Sequence, residues 1–250
     1  MSFHRYFANH VVPLSYWLFY LDKKKTYEVS KKKFRIRQNS SDKYSIWDVW
    51  KASTYFDKEL DIGRHDIVIE IGGNIGAFAV RAASSANKGK VYTFEPDKNN
   101  FKMLVSNVAL NYLNNVTAFN IAVSNKKGYA DFHLSEKNSA SHSLYGSNGH
   151  KKTKVKTTTL KEIVEKHNIP RIDYLKIDAE GAEYEIILNA PDSIWKKIDK
   201  IALEYHDHLS HGHTYKELVN FLTSKGFKVR IAGNPLLRSI TKIGIIKARR

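Results

Sequence analysis

The sequence contains no cysteine among its 250 residues. This absence excludes a disulfide framework, a cysteine-ligated zinc or iron–sulfur centre, and any reaction that needs a thiol nucleophile. The apolar stretch at 11–21 is too short to cross a bilayer, since a spanning helix needs roughly 20 such residues. The chain also shows no internal repeat and no convincing export signal.

Acidic residues are scarce relative to basic ones. Lys and Arg number 41 against 25 Asp and Glu, which leaves a formal net charge of +16. This excess favours polyanions, acidic membrane surfaces or negatively charged substrates through long-range attraction, and it does not choose among them. With 42% hydrophobic residues the chain can bury a sizeable core, which excludes disorder.

Residues 1–60 are predicted to form an N-terminal accessory region ahead of a main domain at 61–250. Aromatic residues and lysines at 11–25 are typical of an interfacial helix, which would give peripheral contact with a membrane. We favour the alternative, a helix packed on the domain or on a partner subunit. Alternation at 26–37 predicts a hairpin, and apolar spacing at 42–55 predicts a helix. We expect a cytoplasmic protein, with attachment at the inner membrane surface as the alternative.

From residue 66 onward the pattern is that of an α/β domain. Short β-branched runs alternate with helices, the first of which follows a glycine-rich turn. The predicted main strands cover 67–71, 91–96, 116–123, 172–178, 200–206, 227–233 and 243–249. Two further strands, at 128–134 and 154–159, flank a polar loop at 135–152 that we interpret as a mobile lid. These elements predict a doubly wound sheet of about seven strands with a β-hairpin at its C-terminal edge.

Two of the predicted strands end in residues suited to bind a nucleoside. In an open α/β sheet, ligands bind beyond the carboxyl ends of the strands. The first strand runs into EIGGNIG at 70–76, where glycines let the backbone turn sharply and approach a ligand closely. The second ends at Glu95, at the distance along the chain where an acidic side chain accepts both hydroxyls of a ribose.

The glycine turn distinguishes between two classes of nucleoside cofactor. A dinucleotide fingerprint needs glycine at 72, 74 and 77, where this chain has Gly72, Asn74 and Ala77. Glu70 would also repel a pyrophosphate, whereas a carboxylate stabilises the sulfonium and ammonium groups of S-adenosylmethionine. The residues therefore favour S-adenosylmethionine over a dinucleotide.

Seven ordered blocks lie between residues 70 and 206, within a resemblance that extends over about 42–233: EIGGNIGAFAV, VYTFEPDKNNFKML, NVALN, FNIAVSN, TTTLKEIV, YLKIDAEGAEYEIILNA and IALEYH. Together they resemble the FkbM family of S-adenosylmethionine-dependent methyltransferases. The resemblance implies a class I methyltransferase fold, with a seven-stranded sheet whose last strand is antiparallel, as the domain at 61–250. It also implies methylation mostly of hydroxyls on sugars, glycoconjugates or secondary metabolites. Glu70 and Gly73 stand where the family more usually has Asp and Ala, a mild departure.

The resemblance also implies roles for residues at successive strand ends. Those implied to bind the cofactor are Glu70, Gly72, Asn74 and Gly76 along the methionine and ribose, Glu95 at the ribose hydroxyls, and Asn120 and Ala122 beside the adenine. Asp178 and Glu180, at the end of the fourth main strand, would lie beside the sulfonium as catalytic residues.

Methyl transfer to oxygen requires removal of a hydroxyl proton, so we expect a base near the acceptor. Glu204 and His206 are two apart and share one face of the fifth main strand. His206 is a candidate base because an imidazole titrates near neutral pH, and Asp178 is its rival.

The residues His206, Asp207, His208, His211 and His213 could be interpreted as a divalent cation site. We interpret them instead as a solvated polar loop, because metal sites usually draw their ligands from several elements. No metal ligands are predicted, although a divalent cation is left open.

The predicted acceptor is a small molecule or a glycan. An anionic acceptor would match the positive net charge of the chain. Methylation of RNA is the alternative, because basic surfaces attract phosphate. The chain lacks the cysteine that methylation of pyrimidine C5 needs, and DAEG at 178–181 replaces the Asn/Asp-Pro-Pro-aromatic turn of exocyclic amino methylation. The complete set of strand-end residues argues against a non-catalytic binding module. The sequence does not define the oligomeric state.

Overall fold

The computed structural model describes residues 25–38, 40–134, 144, 151–210 and 212–250. Its strands are β1 (Thr26–Val29), β2 (Lys32–Arg35), β3 (Ile67–Ile71), β4 (Lys90–Phe94), β5 (Val116–Phe119), β6 (Ala122–Val123), β7 (Gly128–Leu134), β8 (Lys151–Thr158), β9 (Ile172–Ile177), β10 (Ile198–His206), β11 (Lys228–Ala232) and β12 (Ile243–Arg249). Its α-helices are α1 (Asp42–Trp50), α2 (Ala77–Ser85), α3 (Lys98–Leu110), α4 (Leu160–Lys166), α5 (Glu183–Leu188), α6 (Asp192–Trp195), α7 (Tyr215–Ser224) and α8 (Pro235–Thr241). A 3₁₀ turn covers Asp207–Leu209.

Within the described residues, seven strands form the main sheet in the order β11-β12-β10-β9-β3-β4-β5. The strands from β10 to β5 are parallel to their neighbours, and β12 is antiparallel to both β10 and β11. The order reverses between β3 and β9, so their carboxyl ends form the topological switch point, where ligands bind in such sheets. This arrangement confirms the predicted doubly wound, Rossmann-like sheet with an antiparallel last strand.

Helices cover both faces of the main sheet because its strands are apolar on both faces. On β9, Tyr174 packs into one core with α1 and α2, and the next residue, Leu175, packs into the other with α4–α7. The alternation places the two cores back to back across the sheet.

The accessory region contributes to one of these cores. Phe34 on β2 is fully buried in the same apolar cluster as Phe78 on α2. The Asn107 side chain on α3 accepts a hydrogen bond from the backbone N–H of Arg35 at 2.7 Å and donates to the carbonyl of Ile75 at 2.9 Å. The domain boundary at residue 60 stays a prediction, and the described residues before it pack against those that follow.

The single strand predicted at 116–123 is divided in the structure. β5 belongs to the main sheet, whereas β6 pairs in parallel with β8 in a small sheet that β7 completes. Asn120 lies at the bend, where its side-chain amide donates to the carbonyls of Glu95 and Pro96, each at 2.9 Å. These bonds redirect the chain at the end of β5 and so break the strand.

The helix predicted at 42–55 ends earlier, at Trp50. The chain reverses at Ser53, which has a φ of +52°, and the Thr54 hydroxyl donates to Asp48 Oδ1 at 2.6 Å. The side chain of Thr54 thus bonds back to the helix and ends it at Trp50. The apolar periodicity of the sequence continues for about one more turn.

The two C-terminal strands are antiparallel neighbours, but they do not form a tight hairpin. Helix α8 connects β11 to β12, and β12 lies between β10 and β11. Asn234 accepts hydrogen bonds from the first turn of α8, and Pro235 is its first residue. This pair is a standard helix start signal.

No described helix is both long and apolar enough to span a bilayer. The segment at 11–25, for which peripheral membrane contact was the alternative, lies outside the described residues except for Lys25. The polar loop at 135–152, interpreted as a lid, also lies outside them except for Leu144 and the first two residues of β8.

Gly72 and Gly226 provide a matched pair of substitutions. Both have left-handed backbone, with φ of +84° and +85°. A Cβ on Gly72 would lie 1.8 Å from the carbonyl oxygen of Asp178, whereas one on Gly226 would meet no described atom within 4 Å. We expect Gly226→Ala to lower the free energy of unfolding by about 1 kcal/mol, and Gly72→Ala to lower it by clearly more. Urea unfolding measures both, and equal losses would show that the contact with Asp178 is unimportant.

Candidate active site

The turn between β3 and α2 joins the ends of two neighbouring strands. The backbone N–H groups of Gly72 and Gly73 both donate to the carbonyl of Phe94 on β4, each at 3.0 Å. Asn74 and Gly76 then take positive φ values of +49° and +86°, and Gly76 is the N-cap of α2. The turn thus adopts a backbone that few residue types allow.

Glu95 is buried immediately after β4, and both of its carboxylate oxygens are bound to backbone. Oε2 accepts from the N–H of Asn74 at 2.7 Å, and Oε1 accepts from the N–H of Asp97 at 2.8 Å. A carboxylate offers about four lone-pair sites, so each oxygen keeps capacity for a ligand hydroxyl. Burial raises the pKa of Glu95 to about 8, and the two N–H donors oppose that rise.

An open pocket of about 570 Å³ lies over the carboxyl ends of β3, β4 and β9. The predicted site residues in its lining are Gly72, Asn74, Glu95, Ala122, Asp178 and Glu180. Three others have different positions: Glu70 lines an adjoining pocket, Gly76 lies within the turn, and exposed Asn120 lines a separate depression. The structure therefore brings most of the predicted strand-end residues to one pocket.

The adjoining pocket is also open to solvent, has a volume of about 380 Å³ and shares Gly72, Asn74 and Asp178 with the first. The sheet contributes Glu70 and Lys176 to its lining, and α1 of the accessory region contributes much of the rest. The two pockets adjoin at the glycine turn, and together they are called the recess below.

Lys176 is a buried cation that the sequence analysis missed. Its Nζ donates to the carbonyl of Gly72 at 2.7 Å. The same atom lies 3.5 Å from Asp178 Oδ2 and 3.9 Å from Glu70 Oε1. Burial raises the pKa of Glu70 to about 7, and Lys176 opposes that rise. A lysine inside the apolar strand IDYLKI was the available signal, because a buried charge needs partners.

His206 ends β10 and is fully buried among carboxylates. Its Nδ1 lies 3.0 Å from Glu183 Oε1, and its Nε2 lies 3.4 Å from Glu180 Oε2 and 4.0 Å from Glu204 Oε1. Burial by itself would lower the pKa of His206, but the carboxylates outweigh it and raise the pKa to about 10. His206 therefore carries a proton at neutral pH in this arrangement, which disfavours it as the base.

Glu183 holds the loop that follows β9. Its Oε1 accepts from the N–H of Ala179 at 2.8 Å, and its Oε2 accepts from the N–H of Gly181 at 2.9 Å. Glu180, between them, has a φ of +49°. Glu183 was not predicted as a site residue, although an acidic side chain in the first turn of a helix is a recognisable feature.

Tyr55 connects the accessory region to the strand ends. Its hydroxyl lies 2.8 Å from Glu204 Oε2 and 3.1 Å from Asp178 Oδ2. These partners are 149 and 123 residues away along the chain, so no local pattern could have revealed the contact.

The described histidines of the run at 206–213 have different environments. His206 is buried, whereas His208 and His213 are exposed, and His211 lies outside the described residues. His213 Nδ1 is 2.7 Å from Glu217 Oε2 at the start of α7. The exposed members resemble a polar surface loop, and His206 belongs to the buried site.

The family described as "Methyltransferase FkbM domain" matches this chain over residues 61–229. The chain belongs to the FkbM methyltransferase family. This result confirms the family that the sequence blocks resemble, and it makes the protein a methyltransferase with S-adenosylmethionine as its cofactor.

Curated relatives of this FkbM methyltransferase are distant. "Methyltransferase 1" of Beauveria bassiana is 24% identical over 228 residues, which cover 79% of this chain and 87% of the relative. "Hexuronic acid methyltransferase AglP" of Haloferax volcanii is 25% identical over 141 residues, which cover 56% of each chain. Among solved structures, the fibrillarin pre-rRNA processing protein of Methanococcus jannaschii is 14% identical with a TM-score of 0.51, covering 91% of this chain and 82% of the other. That likeness shows the fold alone.

The recess of the FkbM methyltransferase fits S-adenosylmethionine by its donor and acceptor set. Glu95 offers acceptors for two hydroxyls, and Lys176 with the neighbouring carboxylates offers both signs of charge for an amino-acid end. Asn74 lines both pockets, and its buried amide oxygen makes no hydrogen bond within the described residues. A buried acceptor of this kind is suited to a ligand donor.

Cofactor binding to this methyltransferase is expected to depend on pH through Glu95. Ribose hydroxyls stabilise the ionised carboxylate, so binding should release a proton where free Glu95 is protonated. We expect the affinity for S-adenosylhomocysteine to rise between about pH 7 and about pH 9, with the rise centred near the pKa of Glu95. Calorimetry in buffers of different ionisation enthalpy measures the proton release directly.

The control for this prediction is Glu95→Gln, which keeps the side-chain volume and cannot titrate. It should bind more weakly and lose the dependence on pH. A wild-type affinity that stays constant over the same range would show that an ionised Glu95 does not hold the ribose.

Proposed function

We propose that this chain transfers the methyl group of S-adenosylmethionine to a hydroxyl of a sugar, glycoconjugate or small metabolite. The observation that carries the proposal is the position of Asp178 and Glu180, which line the pocket that Glu95 and the glycine turn also line. Carboxylates beside the cofactor provide acceptors for a hydroxyl proton, which O-methylation must remove.

In this proposal the cofactor occupies the recess with its two ends in different pockets. Glu95 accepts the ribose hydroxyls, and the apolar lining near Ala122 contacts the adenine. Lys176 and Glu70 face the charged methionine end. When bound, S-adenosylmethionine supplies an already activated methyl group, so the protein has to align the acceptor oxygen and take up its proton.

Asp178 is the proposed proton acceptor, and His206 a positioning residue. The pKa of His206 is raised to about 10 by the surrounding carboxylates, so it already holds a proton at neutral pH. Asp178 Oδ2 lies 3.1 Å from the Tyr55 hydroxyl and 3.5 Å from Lys176 Nζ, which fix the orientation of the carboxylate at the pocket. Oriented side chains of this kind are what alignment of an acceptor requires.

An anionic glycan is the acceptor that we favour. The net charge of +16 attracts anions at long range, and one relative is described as a hexuronic acid methyltransferase. RNA is the second candidate, supported by a basic depression beside Asn120. Its lining includes Lys98, Lys102, Lys154, Lys156 and Tyr129, whose side chain is 67% exposed. Lysines attract phosphates, and an exposed aromatic ring stacks on bases.

An acceptor assay with methyl-labelled cofactor separates these candidates. The panel contains oligosaccharides with uronic acids, their neutral counterparts and RNA. We expect label in the uronic-acid oligosaccharides that survives mild alkali, because a methyl ether resists hydrolysis and a methyl ester of the acid does not. Label in the RNA nucleosides, or label that alkali removes, would contradict the proposal.

Asp178→Asn is expected to lower turnover by about 100-fold or more while cofactor affinity changes little, because the amide cannot take up the proton. Asp199→Asn is the matched control. Asp199 is exposed near the amino end of β10, whereas the pocket lies at the carboxyl ends of the strands. Turnover numbers and S-adenosylhomocysteine affinities give the comparison. A fully active Asp178→Asn would remove Asp178 from the reaction.

A further inference from the structure

We propose that His206, Asp178 and Glu180 bind one divalent cation beside the cofactor pocket, with Glu183 orienting the histidine. These residues come from β10, the end of β9 and the loop that follows it. Metal ligands are expected to come from several elements, and these three residues do. The exposed histidines at 208 and 213 instead belong to one short segment of the chain.

The proposed ligand atoms lie near the spacing that one shared ion requires. A carboxylate oxygen of Asp178, and one of the orienting Glu183, lies within 4.8 Å of a ring nitrogen of His206. The Nε2 of His206 is 3.4 Å from Glu180 Oε2 and 4.0 Å from Glu204 Oε1. Two atoms that each lie about 2.1 Å from one ion are roughly 3.0–4.2 Å apart, depending on the angle between them.

The environment of the His206 ring also points to a ligand. The side chain is 1% exposed, yet Nε2 makes no hydrogen bond within the described residues. The other ring nitrogen, Nδ1, is 3.0 Å from Glu183 Oε1. Metal-binding histidines commonly donate one ring N–H to a carboxylate, which fixes the tautomer and leaves the other nitrogen for the metal. The cation would displace the proton that the His206 imidazolium carries on Nε2 at neutral pH, and that proton would pass to solvent. Glu183 provides that arrangement, because its two backbone N–H donors hold it in place.

The donor set indicates the class of cation. One imidazole together with carboxylates suits first-row divalent ions such as Mn²⁺ better than ions that prefer sulfur ligands. Asp178 and Glu180 also line the cofactor pocket, so the ion would lie at its edge. There it would lower the pKa of a bound hydroxyl, a role that rests on the proposed O-methylation.

Binding of Mn²⁺ to the chelator-treated protein tests the site without any acceptor. We expect the electron paramagnetic resonance signal of free Mn²⁺ to fall by one equivalent per chain. Glu183→Gln should weaken Mn²⁺ binding about 10- to 100-fold, as loss of an orienting carboxylate does in other metal sites, and His206→Gln should weaken it further. Glu185→Gln, on the same helix but outside the buried group, should bind Mn²⁺ as the wild type does.

Folding and cofactor binding are measured on the same samples by circular dichroism and by S-adenosylhomocysteine affinity. If His206→Gln does not fold, Glu180→Gln replaces it, because Glu180 lies at the pocket and is partly accessible. A wild-type protein that binds S-adenosylhomocysteine but leaves the Mn²⁺ signal unchanged at millimolar concentration would overturn the cation site while leaving the methyltransferase proposal intact. Equal Mn²⁺ affinity in His206→Gln and the wild type would overturn it as well.

Discussion

The contact between Gly72 and the Asp178 carbonyl determines how closely the ends of β3 and β9 approach. No side chain fits at Gly72, because a Cβ there would lie 1.8 Å from that oxygen. The same two strand ends are joined by the N–H of Asp178, which donates to the carbonyl of Ile71 at 3.0 Å. Asp178 thereby lies next to the turn that Glu95 anchors. The cofactor pocket and the buried carboxylates share a boundary for this reason.

Ionisable side chains at this edge form hydrogen bonds with the backbone as well as contacts with each other. Lys176 donates to the carbonyl of Gly72, and Glu95 and Glu183 each accept from two backbone N–H groups. Burying a charge is costly unless hydrogen bonds replace those to water, and here the replacements fix the turns that form the pocket. The same bonds that offset desolvation therefore order the loops. A ligand that enters the recess meets side chains and backbone that are already positioned.

Local patterns predicted the parts of the fold and site that depend on neighbouring residues. The strand at 67–71, the turn around Gly72 and the acidic residue at 95 follow from apolar runs, glycine and strand ends. Long-range contacts account for what was missed or misplaced. Tyr55 reaches Glu204 across 149 residues, and the division of the strand at 116–123 depends on bonds from Asn120 to another loop. Lys176 could have been predicted as a site residue, since a lysine within a buried, apolar strand needs polar or charged partners.

The accessory region lines part of the candidate site. The family match begins at residue 61, yet α1 at 42–50 lines the second pocket and Tyr55 contacts Asp178. The strand ends that we propose to hold the cofactor thus lie inside the matched region, and part of the surrounding surface lies outside it. Methyl transfer places the same demands on the cofactor whatever the acceptor, whereas the acceptor differs in size and charge. Selectivity for the acceptor is therefore expected to depend on residues before 61 more than on the glycine turn.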